Sequence, residues 1–245
     1  MIKLEVKDLS VEFDGKTIVE DINFHVDSGE LVSVIGLSGS GKTTIFNAVA
    51  GIIPVKSGKI ILNNEDVTGK NGKMSYMLQK DLLLPFKNVL ENISLPLIIK
   101  GINKKEAFEK VKKNLGTFGL DGLEYKYPKE LSGGQRQRVA FLRTYMFSDD
   151  MNLLDEPFSA LDLITKASIH KWYMDIRKKL KLTTLLITHD IDEAILLSNR
   201  IYVLNIFEGV GKISKEIIID LDNRDNTTIE FIEFKKKILS ELGKM

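Results

Sequence analysis

The run Leu31-Val32-Ser33-Val34-Ile35 passes directly into Gly36-Leu37-Ser38-Gly39-Ser40-Gly41-Lys42-Thr43, and Thr44, Ile45, Phe46, Ala48 and Val49 follow. Few folds accommodate that order. A short continuous apolar run reads as a buried strand, and the apolar spacing after Thr43 reads as a helix. The glycines between them carry no Cβ, so backbone N–H groups can approach an anion closely, and the helix that follows adds the positive end of its dipole. The pattern G-x-x-x-x-G-K-[ST] also places Lys42 to counter the outer phosphates of a nucleoside triphosphate. The Thr43 hydroxyl suits Mg²⁺, which prefers oxygen donors and keeps several waters. A merely flexible surface turn would need neither the strand before it nor the helix after it.

A second anion-binding turn lies downstream at Leu131-Ser132-Gly133-Gly134-Gln135. Ser132 is a good N-cap for the helix patterned by Val139, Ala140, Leu142 and Tyr145, and Gly133 and Gly134 offer N–H groups at its positive end. One chain can use both anion sites if two copies pair head to tail about a twofold axis, since each surface then meets its complement twice.

Phosphoryl transfer further requires a carboxylate that holds metal, a group that positions water, and a contact to the γ-phosphate. Leu153-Leu154-Asp155-Glu156-Pro157 supplies the acids. A strand ending in Asp155 places one carboxylate for magnesium, and Glu156 can reach an attacking water. Adjacent acids are common on solvated loops, but the strand before them and Pro157 after them favour the site. His189 follows the apolar run Thr184-Leu185-Leu186-Ile187-Thr188, as expected of a strand buried on both faces of a parallel sheet. His25, in an alternating strand-like segment, and His170, in a helical one, sit beside no such motif and read as structural.

With these elements in order, the chain closely resembles the ATP-binding subunit of ABC transporters, and the similarity runs almost end to end. Gly36 to Thr43 is similar to the Walker A loop, Gln79 to the Q-loop, Leu131 to Gln135 to the signature, Leu153 to Glu156 to Walker B, Ser159-Ala160-Leu161-Asp162 to the D-loop, and His189 to the switch histidine. The resemblance implies an α/β P-loop NTPase of ABC type: a mixed, largely parallel sheet core with an antiparallel β layer and an α-helical subdomain. It implies one ABC ATPase domain over residues 1–245, the helical subdomain occupying approximately 80–145.

By the same resemblance the catalytic set is Glu156 as base, His189 as γ-phosphate contact, Lys42, and Gln79 as a magnesium and water contact that senses a membrane partner. ATP would be bound by Phe13, Gly36, Leu37, Ser38, Gly39, Ser40, Gly41, Lys42, Thr43, Thr44, Gln79, Asp155 and His189 of one subunit, with Ser132, Gly133, Gly134, Gln135 and Asp162 of the second. Mg²⁺ would be held by Thr43, Gln79 and Asp155. Phe13 stands where the family more often has Tyr stacked on adenine; stacking needs only a ring face, although a core strand residue would suit the same position.

Strand candidates before and after the Walker A loop are Leu4 to Phe13, Ile18 to Val26 and Ile60 to Val67, the last broken by an Asn63-Asn64 turn. Lys104 to Leu115 has helical spacing through Ala107, Phe108, Val111 and Leu115. Strand-like runs ending near Asp155, Thr188 and Leu204 alternate with helices, as in a parallel sheet. Asn152 interrupts the apolar Walker B run, where a buried amide needs partners. Asp149 and Asp150 just before it favour a strand that starts late and leaves Asn152 near an exposed end.

A chain of 245 residues with 43% hydrophobic content can bury a sizeable core, and the absence of cysteine suits a cytosolic protein. The 35 basic and 34 acidic residues give a formal net charge of +1, which argues against a nucleic-acid partner. Lys110, Lys112, Lys113 and the run Lys235-Lys236-Lys237 read as solvated helix faces. No segment reaches the roughly 18–20 continuous apolar residues of a membrane span. Met1 to Lys7 alternates like a strand and lacks the core of a signal peptide. A membrane role would therefore run through a separate permease, docking near Gln79–Phe86, with Leu84 and Phe86 as the leading contacts in the segment Leu82 to Asn92. The protein would then sit peripherally on the cytoplasmic face of the membrane.

Within the family, Asp155 to Asp162, Thr188 to Ala194 and Glu216 to Leu221 resemble bacterial importers of nitrate, sulfonates and taurine, with related thiamine-precursor systems. A substrate-binding protein would then act on the complex indirectly. An exporter or lipoprotein-extraction system is the alternative, since it shares the Leu-Pro-Leu pattern at Leu95 to Leu97. A soluble ABC protein acting on ribosomes or nucleic acid is a weaker one, because neither a tandem ATPase domain nor a nucleic-acid-binding extension is evident. An end at Met245 leaves no room for the regulatory domain of sugar importers.

Overall fold

The computed structural model describes residues 1–148 and 150–243, so Asp149 and Met245 lie outside the described residues. In chain order the elements are β1 (Ile2–Phe13), β2 (Lys16–Asp27), β3 (Leu31–Gly36), α1 (Lys42–Val49), β4 (Ser57–Leu62), β5 (Glu65–Asp66), β6 (Ser75–Met77), α2 (Val89–Ile99), α3 (Lys104–Phe118), a 3-10 turn (Pro128–Glu130), α4 (Gly133–Phe147), β7 (Asn152–Asp155), α5 (Leu163–Leu180), β8 (Thr184–Ile187), α6 (Ile191–Leu197), β9 (Arg200–Phe207), β10 (Val210–Ile218) and α7 (Ile229–Leu242). They form two compact units, one from Met1–Lys73 together with the chain from Lys181 on, the other from Met74–Leu180.

In the first unit the strands run in the order β5-β4-β1-β2-β10-β9-β3-β8. Strand β3 lies parallel between β8 and β9, and every one of its residues is buried, which explains a run of five non-charged residues with no polar alternation. The β1–β2, β1–β4 and β4–β5 pairs are antiparallel. Asn63 and Asn64, at φ 51° and 65°, make the tight turn between β4 and β5, a conformation that asparagine tolerates. Strand β9 runs on past Leu204 to Phe207 because β10 pairs with it antiparallel. Ile35, Ile195, Val203, Ile217, Phe231 and Ile238 close a core between this part of the sheet and helices α6 and α7. Lys235 reaches Asp192 of α6 at 2.7 Å, so one lysine of the basic run is paired rather than simply solvated.

The second unit pairs β6 with β7 in parallel and surrounds them with α2 to α5. Its interior is aromatic: Phe118, Phe141, Phe158, Trp172 and Tyr173 meet at centroid distances of 4.9 to 6.0 Å. His170 presents an edge to Phe158 at 4.7 Å, the packing role expected of it. The expectation for Asn152 is half corrected. The strand does begin there, but the residue is only 4% exposed. Burial is tolerated because Asn152 sits opposite Ser75, whose Oγ donates to Asn152 Oδ1 at 2.9 Å or to the Met151 carbonyl at 3.0 Å.

Candidate functional site

The loop from Gly36 to Thr43 takes the shape the glycines allow. A Cβ on Gly36 would stand 2.4 Å from the Leu204 carbonyl oxygen, and one on Gly41 would stand 2.3 Å from Val19 Cγ1. Gly41 also caps α1 at φ 98° with no side chain on the first-turn N–H groups, leaving the helix end open for an anion. Lys42 is buried and turns its ammonium back into the loop, donating to the carbonyls of Gly36 at 2.8 Å and Leu37 at 2.9 Å. Ser40 Oγ is buried there with no hydrogen-bond partner. An orphaned hydroxyl costs about 1–3 kcal/mol, and a loop that keeps one beside an inward lysine and open helix N–H groups suits a phosphate chain. Leu37, Ser38, Gly39 and Thr43 are exposed, and Thr44 is half-buried.

Phe13 ends β1 beside the Asp14-Gly15 turn and is 44% exposed, so it is not a core strand residue and its ring face is available for stacking. His189 follows β8 and is exposed. The backbone around it is pinned: Asp190 N donates to Thr188 Oγ1 at 3.0 Å, and the Asp190 carboxylate caps α6 by accepting from Glu193 N at 3.1 Å.

In the second unit, Asp155 ends β7 and is 8% exposed. Tyr76 Oη donates to Asp155 Oδ2 at 3.2 Å. Burial, and then the neighbouring carboxylate, push the Tyr76 phenol well above its ordinary value, so it remains a donor. Glu156 follows at φ 45°, a left-handed conformation that costs on the order of 1–3 kcal/mol in a non-glycine residue and persists only where neighbours enforce it. Ser159 Oγ donates to the Glu156 carbonyl at 2.9 Å. Gln79 Nε2 lies 3.4 Å from Glu156 Oε2 and 3.3 Å from Ser159 Oγ.

Ser132 is the N-cap of α4, and its Oγ accepts from Gln135 N at 3.2 Å while Gln135 Oε1 accepts from Ser132 N at 2.9 Å. The Gln135 side chain is thus engaged in a reciprocal capping box. Gly134 is buried where a Cβ would press on Thr165 Cγ2 at 3.2 Å. Asp162 Oδ1 accepts from Thr165 N at 3.0 Å, and its bonds to the Thr165 side chain and backbone hold the carboxyl below its ordinary value. Among the described residues no cluster of three or more His, Asp or Glu could hold a metal ion. The Thr43 hydroxyl and the Asp155 carboxylate are each the kind of hard oxygen donor that Mg²⁺ takes while keeping most of its waters.

The expected docking segment is only partly surface. Leu83, Val89, Leu90 and Asn92 are core, whereas Leu82 is exposed, Leu84 half-buried and Phe86 71% exposed. Asn92 fixes this stretch: its Nδ2 donates to the carbonyls of Leu84, Lys87 and Asn88, and its Oδ1 accepts from Leu84 N. Tyr76 and Gln137 were not singled out by the sequence, since neither was read as part of a motif, and Ser159 was read only as the start of the D-loop, with no contact assigned to it. Among the described residues no helix is long and apolar enough to cross a membrane.

Residues 19–159 match the family model described as ABC transporter. The formylaminopyrimidine import ATP-binding protein of Halalkalibacterium halodurans is 42% identical over 86% of this chain and 82% of its own. The nitrate import ATP-binding protein of Synechocystis is 37% identical over 91% of this chain and 85% of its own. In three dimensions, the dimeric post-hydrolysis state of the ATP-binding cassette MJ0796, bound to ADP and Pi, superposes with a TM-score of 0.72 at 26% identity, covering 89% of this chain and 99% of that one. The chain belongs to the ABC transporter family, as one of its ATP-binding, ATP-hydrolysing subunits.

Proposed function

We propose that this subunit energises import of a small solute through a separate membrane permease, working as a homodimer with ATP at the interface. Support for import comes from the formylaminopyrimidine and nitrate import proteins, whose likeness extends over most of the chain. The substrate class is nitrate, sulfonate, taurine or a thiamine precursor, delivered to the permease by a substrate-binding protein. The 1–245 chain acts as one ATPase domain with a helical subdomain at about 80–145, held peripherally on the cytoplasmic face.

In this reading Lys42 exchanges the Gly36 and Leu37 carbonyls for phosphate oxygens, and the open end of α1 binds the same anion. Phe13 stacks on the adenine. Mg²⁺, when bound, would offset phosphate charge, and Thr43, Gln79 and Asp155 are the oxygens that would hold it. Tyr76 keeps the Asp155 carboxylate oriented. Glu156 takes the proton of the attacking water, Gln79 releases it for that task, and His189 contacts the γ-phosphate. Ser132, Gly133, Gly134, Gln135 and Asp162 face the ATP of the partner subunit.

The test is to copurify the subunit with its permease, reconstitute the complex in vesicles, and follow labelled nitrate, alkanesulfonates, taurine and formylaminopyrimidine. ATP-driven movement of one of them toward the ATP side is expected. Movement away from that side overturns import.

A further inference from the structure

Helix α4 carries a buried glutamine where an apolar residue would serve packing alone. Gln137 is 6% exposed, and its Nε2 donates to the Pro157 carbonyl. Burying an amide is unfavourable unless it is hydrogen-bonded, so a side chain that spends its donor on one loop carbonyl fixes that loop. One turn further along the same face, Phe141 packs its ring on Phe158 at 5.7 Å. These two side chains therefore hold the two residues that directly follow Glu156. Together with Ser159 Oγ on the Glu156 carbonyl, they supply the neighbours that its left-handed backbone requires.

The N-terminus of α4, just over one turn before Gln137, is bound just as firmly to the signature loop. Ser132 and Gln135 cap each other, and Arg136 Nη1 donates to the Leu131 carbonyl at 2.8 Å. Gln137 lies five residues beyond Ser132, about 7.5 Å along the helix axis. A helix is stiff over that distance, so what displaces the loop at its N-terminus displaces the grip on Pro157 just over one turn further along.

We propose that α4 links the signature loop to the catalytic loop of the same subunit, with Gln137 as the positioning residue that sets Glu156. This rests on the reading that two copies share their ATP sites. On that reading Ser132 touches one ATP while Glu156 acts on the other, so the helix couples the two sites of the dimer.

The experiment is a double-mutant cycle on the full chain with MgATP, using Ser132→Ala, Gln137→Met and the combined variant. Gln137→Met keeps the side chain's length and replaces the whole amide, donor and acceptor alike, by a thioether, so the bond to the Pro157 carbonyl is lost. It lowers kcat about tenfold or more, with affinity for a fluorescent ATP analogue changed by less than about threefold. The combined variant loses no more than about twofold beyond the worse single variant, because both changes interrupt one linkage. A merely structural Gln137 gives losses that multiply, and that result overturns the proposal while leaving the shared site standing. Unchanged turnover in Ser132→Ala removes the shared site and the proposal with it. Should Gln137→Met fail to fold, Phe141→Leu enters the same cycle with the same criteria.

Discussion

Gln79 and Glu156 meet side chain to side chain, amide nitrogen to carboxylate oxygen at 3.4 Å, although 77 residues separate them in the chain. Gln79 follows β6, Glu156 follows β7, and the parallel pairing of those strands brings their ends together. A carboxylate engaged by a donor is fixed in direction. Gln79 thus restrains Glu156, the proposed base, and under that proposal would be the route by which movement of the following segment reaches it.

Replacing Gln79 by Ala removes that restraint together with a proposed metal contact. Turnover is expected to fall on the order of 10- to 100-fold, as misplacement of a catalytic group by about 1 Å does. Nucleotide affinity, measured by fluorescence titration, changes far less. Equal losses in both would assign Gln79 to binding alone.

Glu156→Gln keeps the shape of the side chain and removes the base. A positioned base contributes about 10²–10⁴-fold, so steady-state phosphate release drops by that factor while ATP binding persists. With hydrolysis blocked, size-exclusion chromatography in ATP should capture a dimer. Turnover near that of the unaltered protein would sink the assignment.

Some of this was legible in the sequence and some was not, and the division follows the range of the interaction. The strand, loop and first turn from Leu31 to Thr43 were readable because burial of β3 and the demands on Gly36 and Gly41 leave local traces. The cap at Ser132 was readable for the same reason, since its partner Gln135 is three residues away. Strand β10 was missed as an element: Lys212, Lys215 and Glu216 look like loop residues until β9 pairs with them and Glu20 meets Lys212 at 2.8 Å. Asn152 looked costly because Ser75, which satisfies it, is 77 residues distant. Tyr76 escaped notice because only the fold brings it to Asp155.

The partnership of Ser75 and Asn152 can be measured. Ser75→Ala withdraws a donor from a buried amide and should cost about 1–3 kcal/mol in urea unfolding. Adding Asn152→Val removes the need for that donor, so the double variant should be more stable than the sum of the single losses. Strict additivity would mean the contact carries no energy.

Phe86 presents a large apolar surface beside a loop that Asn92 holds rigid. Since it is exposed, Phe86→Glu should change stability by no more than about 0.5 kcal/mol. A charge at the centre of an apolar contact would nevertheless block docking. Isolated subunits carrying the change should bind ATP and fail to copurify with the permease; normal assembly would place the docking surface elsewhere.

Ser132 caps α4, and the shared-site proposal gives it a second role that different substitutions separate from the first. As N-cap it satisfies Gln135 N, and Asp performs that task as well as Ser does. Ser132→Asp should therefore leave the thermal midpoint within a few degrees of the original, corresponding to less than about 1 kcal/mol. A carboxylate at the same point would repel the polyphosphate that the partner subunit is proposed to present. ATP binding by the monomer should be unaffected, while dimer formation in the Glu156→Gln background and turnover in the otherwise unaltered chain should both be lost. Retained turnover in Ser132→Asp would reduce Ser132 to a helix cap and leave the signature loop without an anion to bind.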